Sequence, residues 1–123
     1  MSRHINFVFF VLQILLLPTS AYASRDTGVL VSASYYLATG HPTASGQRYN
    51  IHDPKIAAGP KSLFGREVLL VQKGTGKSII VRVIDRMPYE KGRNDNNIDL
   101  TPAAFQEFAS LKTGRVSLTL YVL

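Results

Sequence analysis

The chain has no cysteine and no tryptophan, and only 8 of its 123 residues are Asp or Glu. Without cysteine there is no disulfide framework, no thiol nucleophile and no zinc site built on thiolates. Charged residues amount to 18% against 46% apolar, which excludes a disordered polyelectrolyte. The 14 Lys and Arg residues are scattered with no basic run or basic helix, so the net charge of +6 carries no nucleic-acid footprint. No Gly-x-Ser-x-Gly elbow is present, which leaves serine-hydrolase chemistry without support. At this length one compact domain is expected.

Long apolar runs are also scarce. The one candidate, Phe7 to Leu17, follows Arg3 and His4, is broken by Gln13, and ends at Pro18. Eleven residues are too short for a helix across a ~30 Å hydrocarbon core. With the small-x-small pattern Ala21-Tyr22-Ala23, residues 1–23 read as a secretory signal and residues 24–123 as one domain. Cleavage removes Arg3 alone among the charges, leaving +5. A basic exported domain finds its acidic partners among cell-wall polymers, anionic lipid heads and acidic glycans. A monomer with no stable membrane insertion is expected after cleavage.

Val29 to Tyr36 reads as a strand with β-branched residues first and aromatics last. Glu67 to Gln72 and Ser78 to Asp85 are strands joined by a hairpin turn at Lys73-Gly74-Thr75-Gly76-Lys77. Gly76-Lys77-Ser78 imitates the end of a phosphate-binding loop, but Val71 stands where its first glycine belongs and a strand follows. Leu37 to Lys61 and Arg86 to Asn97 read as polar loops. Thr101 caps a helix with Pro102 in its first turn, and Phe105 and Phe108 face the core at helical spacing. Val116 to Val122 closes the chain as an alternating strand. The expectation is mostly β, a small antiparallel or mixed barrel with one late helix.

His41 and His52 would need a third ligand such as Asp53 to hold a metal, and their spacing matches no helix-face pair. They read as solvated loop residues, so no metal and no cofactor is expected. Asp85 ends an apolar strand, and Asp99 lies between Ile98 and Leu100. A carboxyl at such a place has the partly desolvated setting of a general acid, which Arg86 beside Asp85 opposes. The alternative is that both acids accept backbone amide hydrogen bonds and fix their loops.

The order of motifs resembles the rare-lipoprotein-A-like double-psi β-barrel family, to which expansins are related. The segments are Ala33-Ser34-Tyr35-Tyr36, Thr43-Ala44-Ser45-Gly46-Gln47-Arg48-Tyr49-Asn50, Ala57-Ala58, Leu63-Phe64-Gly65, Val81-Arg82-Val83-Ile84-Asp85-Arg86 with Pro88, Gly92-Arg93, and Ile98-Asp99-Leu100-Thr101. The resemblance implies a six-stranded double-psi barrel with a groove for a polysaccharide strand. In bacterial members that strand is peptidoglycan stripped of its stem peptides, cleaved by lytic transglycosylation. Carried over, Asp85 is the catalytic acid/base and Asp99 its supporting acid. Tyr36, Thr43, Ser45, Tyr49, Arg86 and Tyr89 are the candidate substrate-binding residues; a tyrosine covers a sugar's apolar face while its hydroxyl bonds, the alternative being barrel packing for the tyrosines and loop shaping for Thr43 and Ser45. Only one of the neighbours Tyr35 and Tyr36 is expected to be buried.

The chain departs from the family pattern in three places. Gly59 follows Ala57-Ala58 where the family has a histidine counted as catalytic, Met87 replaces a glycine, and Asn94-Asp95-Asn96 looks inserted. Three functions follow: a secreted lytic transglycosylase, a non-catalytic expansin-like module that binds or loosens glycan, or a secreted protein ligand or inhibitor.

Overall fold

The computed structural model describes residues 27–87 and 96–123. The expected signal segment, Pro88, Tyr89, Gly92-Arg93 and the first two residues of the Asn94–Asn96 insertion lie outside the described residues. Six strands, β1 (Val29–Tyr35), β2 (Ile56–Gly59), β3 (Glu67–Val71), β4 (Ser78–Arg86), β5 (Asn97–Leu100) and β6 (Val116–Val122), are accompanied by one short helix, α1 (Pro102–Phe105). They close into a barrel in the order β1-β5-β2-β4-β3-β6. The β1–β5 and β2–β4 pairs are parallel and the other four antiparallel, a mixed barrel. Among the described strands, closure leaves no exposed sheet edge for another chain to pair with.

Four strands arise where hydrophobic patterning places them. Along β1, Val31, Ala33 and Tyr35 turn inward and Ser32 and Ser34 outward, the period-2 signature of a half-buried strand. Gln72 to Lys77 links β3 to β4, with Gly74 at φ 95° and Gly76 at φ 75°, values that residues with a β-carbon rarely adopt. Leu70, Val81, Val83, Ile98 and Leu118 fill the barrel interior, and Phe105 and Phe108 of the α1 region join the same core.

The structure bears out one short late helix and corrects the local reading of the loops, of the Phe105–Phe108 spacing and of the Tyr35–Tyr36 pair. The Leu37 to Lys61 region contains β2, and Asn97–Leu100 is a strand as well. Both are four residues long, too short to show a period. The helix is a single turn, capped by the Thr101 hydroxyl, which accepts from Ala104 N at 3.0 Å. A 3-10 turn at Leu111–Thr113 follows, so the spacing of Phe105 and Phe108 spans two short pieces. Tyr35 and Tyr36 are both half-buried, because each meets a different cluster. Tyr35 tilts against Phe105 with ring centroids 4.9 Å apart, and its hydroxyl donates to Leu111 O at 2.8 Å.

The second cluster lies outside the barrel wall. Tyr49, Ile56 and Ile84 are buried together, with Tyr36 and Ile51 packed against them. The loop from Leu37 to Lys55 therefore folds back onto the outer face of β2 and the end of β4. Consecutive turns order it: Asn50 Oδ1 accepts from His52 N and Asp53 Oδ1 from Lys55 N, both at 2.9 Å. Among the described residues no helix is long and apolar enough to cross a membrane.

Candidate functional site

Two carboxylates are aligned by the strand between them. Ala58 of β2 pairs with Asp85 of β4 on one side and with Asp99 of β5 on the other. Asp99 pairs in turn with Ser34 of β1, whose hydroxyl donates to Asp99 Oδ1. Ser34, Asp99, Ala58 and Asp85 thus form one row across four strands. At roughly 4.8 Å per strand, the two acids are anchored about 10 Å apart on the backbone. The row lies on the outer face, since its strand neighbours Ala33, Ala57, Ile98 and Leu100 all point into the core.

A β-bulge puts Asp85 in that row. Ala57 pairs with Val83, but Ala58 pairs with Asp85, so Ile84 has no partner on β2. In a regular ladder Ala58 would face Ile84, and Asp85 would fall on the Val83 side, inside the barrel. The loop satisfies the groups that the bulge frees. Ser45 N donates to Ile84 O at 3.0 Å, and Ala44 N donates to Asp85 Oδ1 at 3.1 Å. Asp85 Oδ1 also accepts from Arg86 N at 2.9 Å. Asp85 therefore does fix its loop, as the structural alternative expects. The two contacts hold one carboxylate oxygen and so orient the other.

Tyr36 and Tyr49 form an aromatic wall beside the acids. Their rings stack with centroids 3.9 Å apart and planes inclined by 18°. The Tyr49 hydroxyl donates to Tyr36 O at 2.6 Å, which locks the pair to the end of β1. Burial, then the negative charges of Asp85 and Asp99, push the Tyr36 hydroxyl well above the ordinary tyrosine range. Tyr49 is pushed the same way by burial, then by Tyr36 and Asp99. Both remain protonated donors at neutral pH.

The other expected residues divide by exposure. Tyr49 is only 1% exposed and backs Tyr36 rather than facing solvent. Thr43 is buried, its hydroxyl bonded to Gln47 O and 2.9 Å from Ser45 Oγ, so it shapes the loop that clamps Asp85. Ser45 and Arg86 are exposed, and the Arg86 guanidinium lies 5.8 Å from the centre of the Phe64 ring. Tyr89 lies outside the described residues. His41 and His52 are exposed. The segment holding His52 is tied to α1 by bonds from Thr101 Oγ1 to Asp53 O and from Ala103 N to Ile51 O. Two site residues lie outside the sequence-based expectations: Ser34, the partner of Asp99, and Ile84, the bulge. Ser34 was legible as the outward neighbour in Ala33-Ser34-Tyr35, whereas nothing local marks Ile84.

Gly59 stands where the resemblance leads one to expect a histidine. A β-carbon built there meets Val83 Cγ1 at 3.3 Å, so a side chain would start against the core and make Val83 yield slightly.

The comparisons agree with this architecture. A family profile described as "Lytic transglycolase" matches residues 29–120. An uncharacterized Synechocystis protein, ssl3177, is 36% identical over 91 residues, covering 72% of this chain and 92% of its own. The "Probable endolytic peptidoglycan transglycosylase RlpA" of Treponema pallidum is 38% identical over 91 residues, covering 70% of this chain and 27% of its own. Its namesake from Aquifex aeolicus is 36% identical over 75 residues, covering 61% and 31%. The chain therefore spans about a quarter to a third of these named relatives. Among solved structures, a Streptomyces papain inhibitor superposes with a TM-score of 0.65 at 23% identity, covering 80% of this chain and 96% of that one. A Clavibacter michiganensis expansin superposes with a TM-score of 0.60 at 16% identity, covering 79% and 50%. With its closed six-stranded barrel and a profile match over most of its length, the chain belongs to the RlpA-like double-psi β-barrel family.

Proposed function

We propose that this protein is exported, with residues 1–23 as its signal, and acts on cell-wall glycan. In this reading it binds a peptidoglycan strand along the outer-face row and cleaves it as a lytic transglycosylase. The observation that carries the reading is the alignment of Asp85 and Asp99 through Ala58, beside Tyr36 and under a loop that orients Asp85. The relatives named as peptidoglycan transglycosylases support the substrate.

In the first half of the reaction, protonated Asp85 gives its proton to the glycosidic oxygen as the C1–O bond breaks. The sugar's own 6-hydroxyl closes on C1, and its proton returns to the Asp85 carboxylate, leaving a 1,6-anhydro end. No water enters, so the reaction does not need the spaced pair of carboxylates used by hydrolytic glycosidases. Asp99, bonded to Ser34, supplies negative charge beside the developing positive charge on the sugar ring. Tyr36, Ser45 and Arg86 are the exposed or half-buried groups for sugar contacts, and Tyr89 belongs to the same proposal.

The test is incubation of the protein with amidase-stripped glycan strands, followed by mass spectrometry, with Asp85→Asn in parallel. Anhydro ends that vanish in the variant support the reading. One observation favours a second reading, a binding module without cleavage: position 59 offers no side chain where the family has a catalytic histidine. Intact strands that retain the protein would decide for that reading.

A further inference from the structure

The Tyr36 hydroxyl is a polar group whose purpose the barrel does not explain. Its oxygen is buried and has no hydrogen-bond partner among the described residues. Leaving a buried donor unpaired is unfavourable, and phenylalanine would stack on Tyr49 equally well without it. The ring lies on the outer face with Ser34, against Tyr49, Ile56 and Ile84, and Ile84 directly precedes Asp85. Burial and both acids keep the phenol protonated, so it serves as a donor.

Asp99 Oδ1 accepts from the Ser34 hydroxyl and Asp85 Oδ1 from two backbone amides, so the row presents hydrogen-bond acceptors. A ligand fitting all three neighbours must offer a donor to an acid, an acceptor to Tyr36 and a small apolar group to the isoleucine and tyrosine cluster. An acetamido group has these three in one plane: N–H, C=O and methyl. The 2-hydroxyl of a plain glucan has no methyl and no carbonyl.

We propose that Tyr36 is a specificity-determining residue that donates to the acetamido carbonyl of an N-acetylated glycan and so separates such strands from glucans. The inference rests on the glycan reading above and assigns one chemical group of the ligand to one residue. The proposal requires the half-buried Tyr36 side chain to turn outward from its stack on Tyr49 to bring the hydroxyl within reach of the ligand. The residues after it, Leu37 to Gly40, are exposed.

The experiment titrates wild type and Tyr36→Phe with chitohexaose and with cellohexaose, which differ only at C2, and records thermal unfolding of both proteins. Wild type should prefer chitohexaose. The variant should keep its melting temperature and lose roughly 3- to 10-fold in chitohexaose affinity, with cellohexaose unchanged. An unchanged chitohexaose affinity, or an equal fall for both sugars, overturns the inference. Equal wild-type affinity for the two sugars overturns it too, while leaving the glycan reading standing. Wild type that binds neither sugar overturns this inference, and retention on amidase-stripped peptidoglycan strands then decides separately whether the glycan reading stands.

Discussion

The two sides of the barrel are built on different plans. Around β3, the first part of β4 and β6, every pairing is antiparallel and in regular register, and the connection is a tight glycine hairpin. Around β1, β5, β2 and the end of β4, two pairings are parallel, two strands have four residues each, and one ladder is broken by a bulge. The first side is held by patterning and packing. The second carries the two acids, the stacked tyrosines and the unpaired hydroxyl, and a folded-back loop covers part of it. Under the proposed function, regularity and activity are thus separated: the regular side provides stability, and the irregular side uses its interruptions to aim side chains.

The sharpest test of that separation compares Asp85→Asn with Leu70→Ala. Asparagine keeps an oxygen for Ala44 N and Arg86 N, so Asp85→Asn should lose about 10²- to 10⁴-fold in cleavage with little change in melting temperature. Leu70 is fully buried on the regular side, and Leu70→Ala should cost about 2–5 kcal/mol in denaturant unfolding while the folded fraction still binds glycan. If Asp85→Asn unfolds the protein instead, Asp85 is a structural acid and the separation fails.

Thr101→Val comes next. The Thr101 hydroxyl donates to Asp53 O at 2.7 Å and accepts from Ala104 N, so it ties the folded-back loop to α1. Losing it should cost about 1–3 kcal/mol, and hydrogen exchange should rise in the loop before it rises in β3. Alkali should produce a smaller effect of its own. Tyr36 and Tyr49 hold their protons more tightly folded than unfolded. Their contribution is therefore complete below the unfolded tyrosine value of about 10 and is lost as pH rises above it. Melting temperature should fall in that range, and less steeply in Tyr49→Phe relative to its own value at neutral pH. The smallest effect belongs to the exposed Glu67–Arg82 ion pair on the regular side. Glu67→Gln should change stability by less than about 1 kcal/mol, with the difference vanishing at high salt.

Much of the regular side was legible in the sequence. The expected ends of β1, β3, β4 and β6 fall within one residue of those observed, because these strands alternate or carry β-branched runs that fit a pleated, half-buried surface. The two short strands were not legible from the residues themselves. Ile56-Ala57-Ala58-Gly59 contains three poor strand formers, and Asn97-Ile98-Asp99-Leu100 offers only two inward residues. They are strands because long-range partners on both sides accept their backbone bonds.

The site divides in the same way. Both acids stood out from their apolar neighbours, and the Thr101 cap and the hairpin glycines were readable because caps and turns are set by a few adjacent residues. The period-2 pattern likewise determined which faces of the long strands turn inward. Only the tertiary structure decided that Ile84 is skipped, that Asp85 thereby leaves the core side, and that Ala58 aligns it with Asp99. A bulge is a mismatch of register between two strands far apart in the chain, so its position depends on both ladders at once, and no local window of sequence contains it.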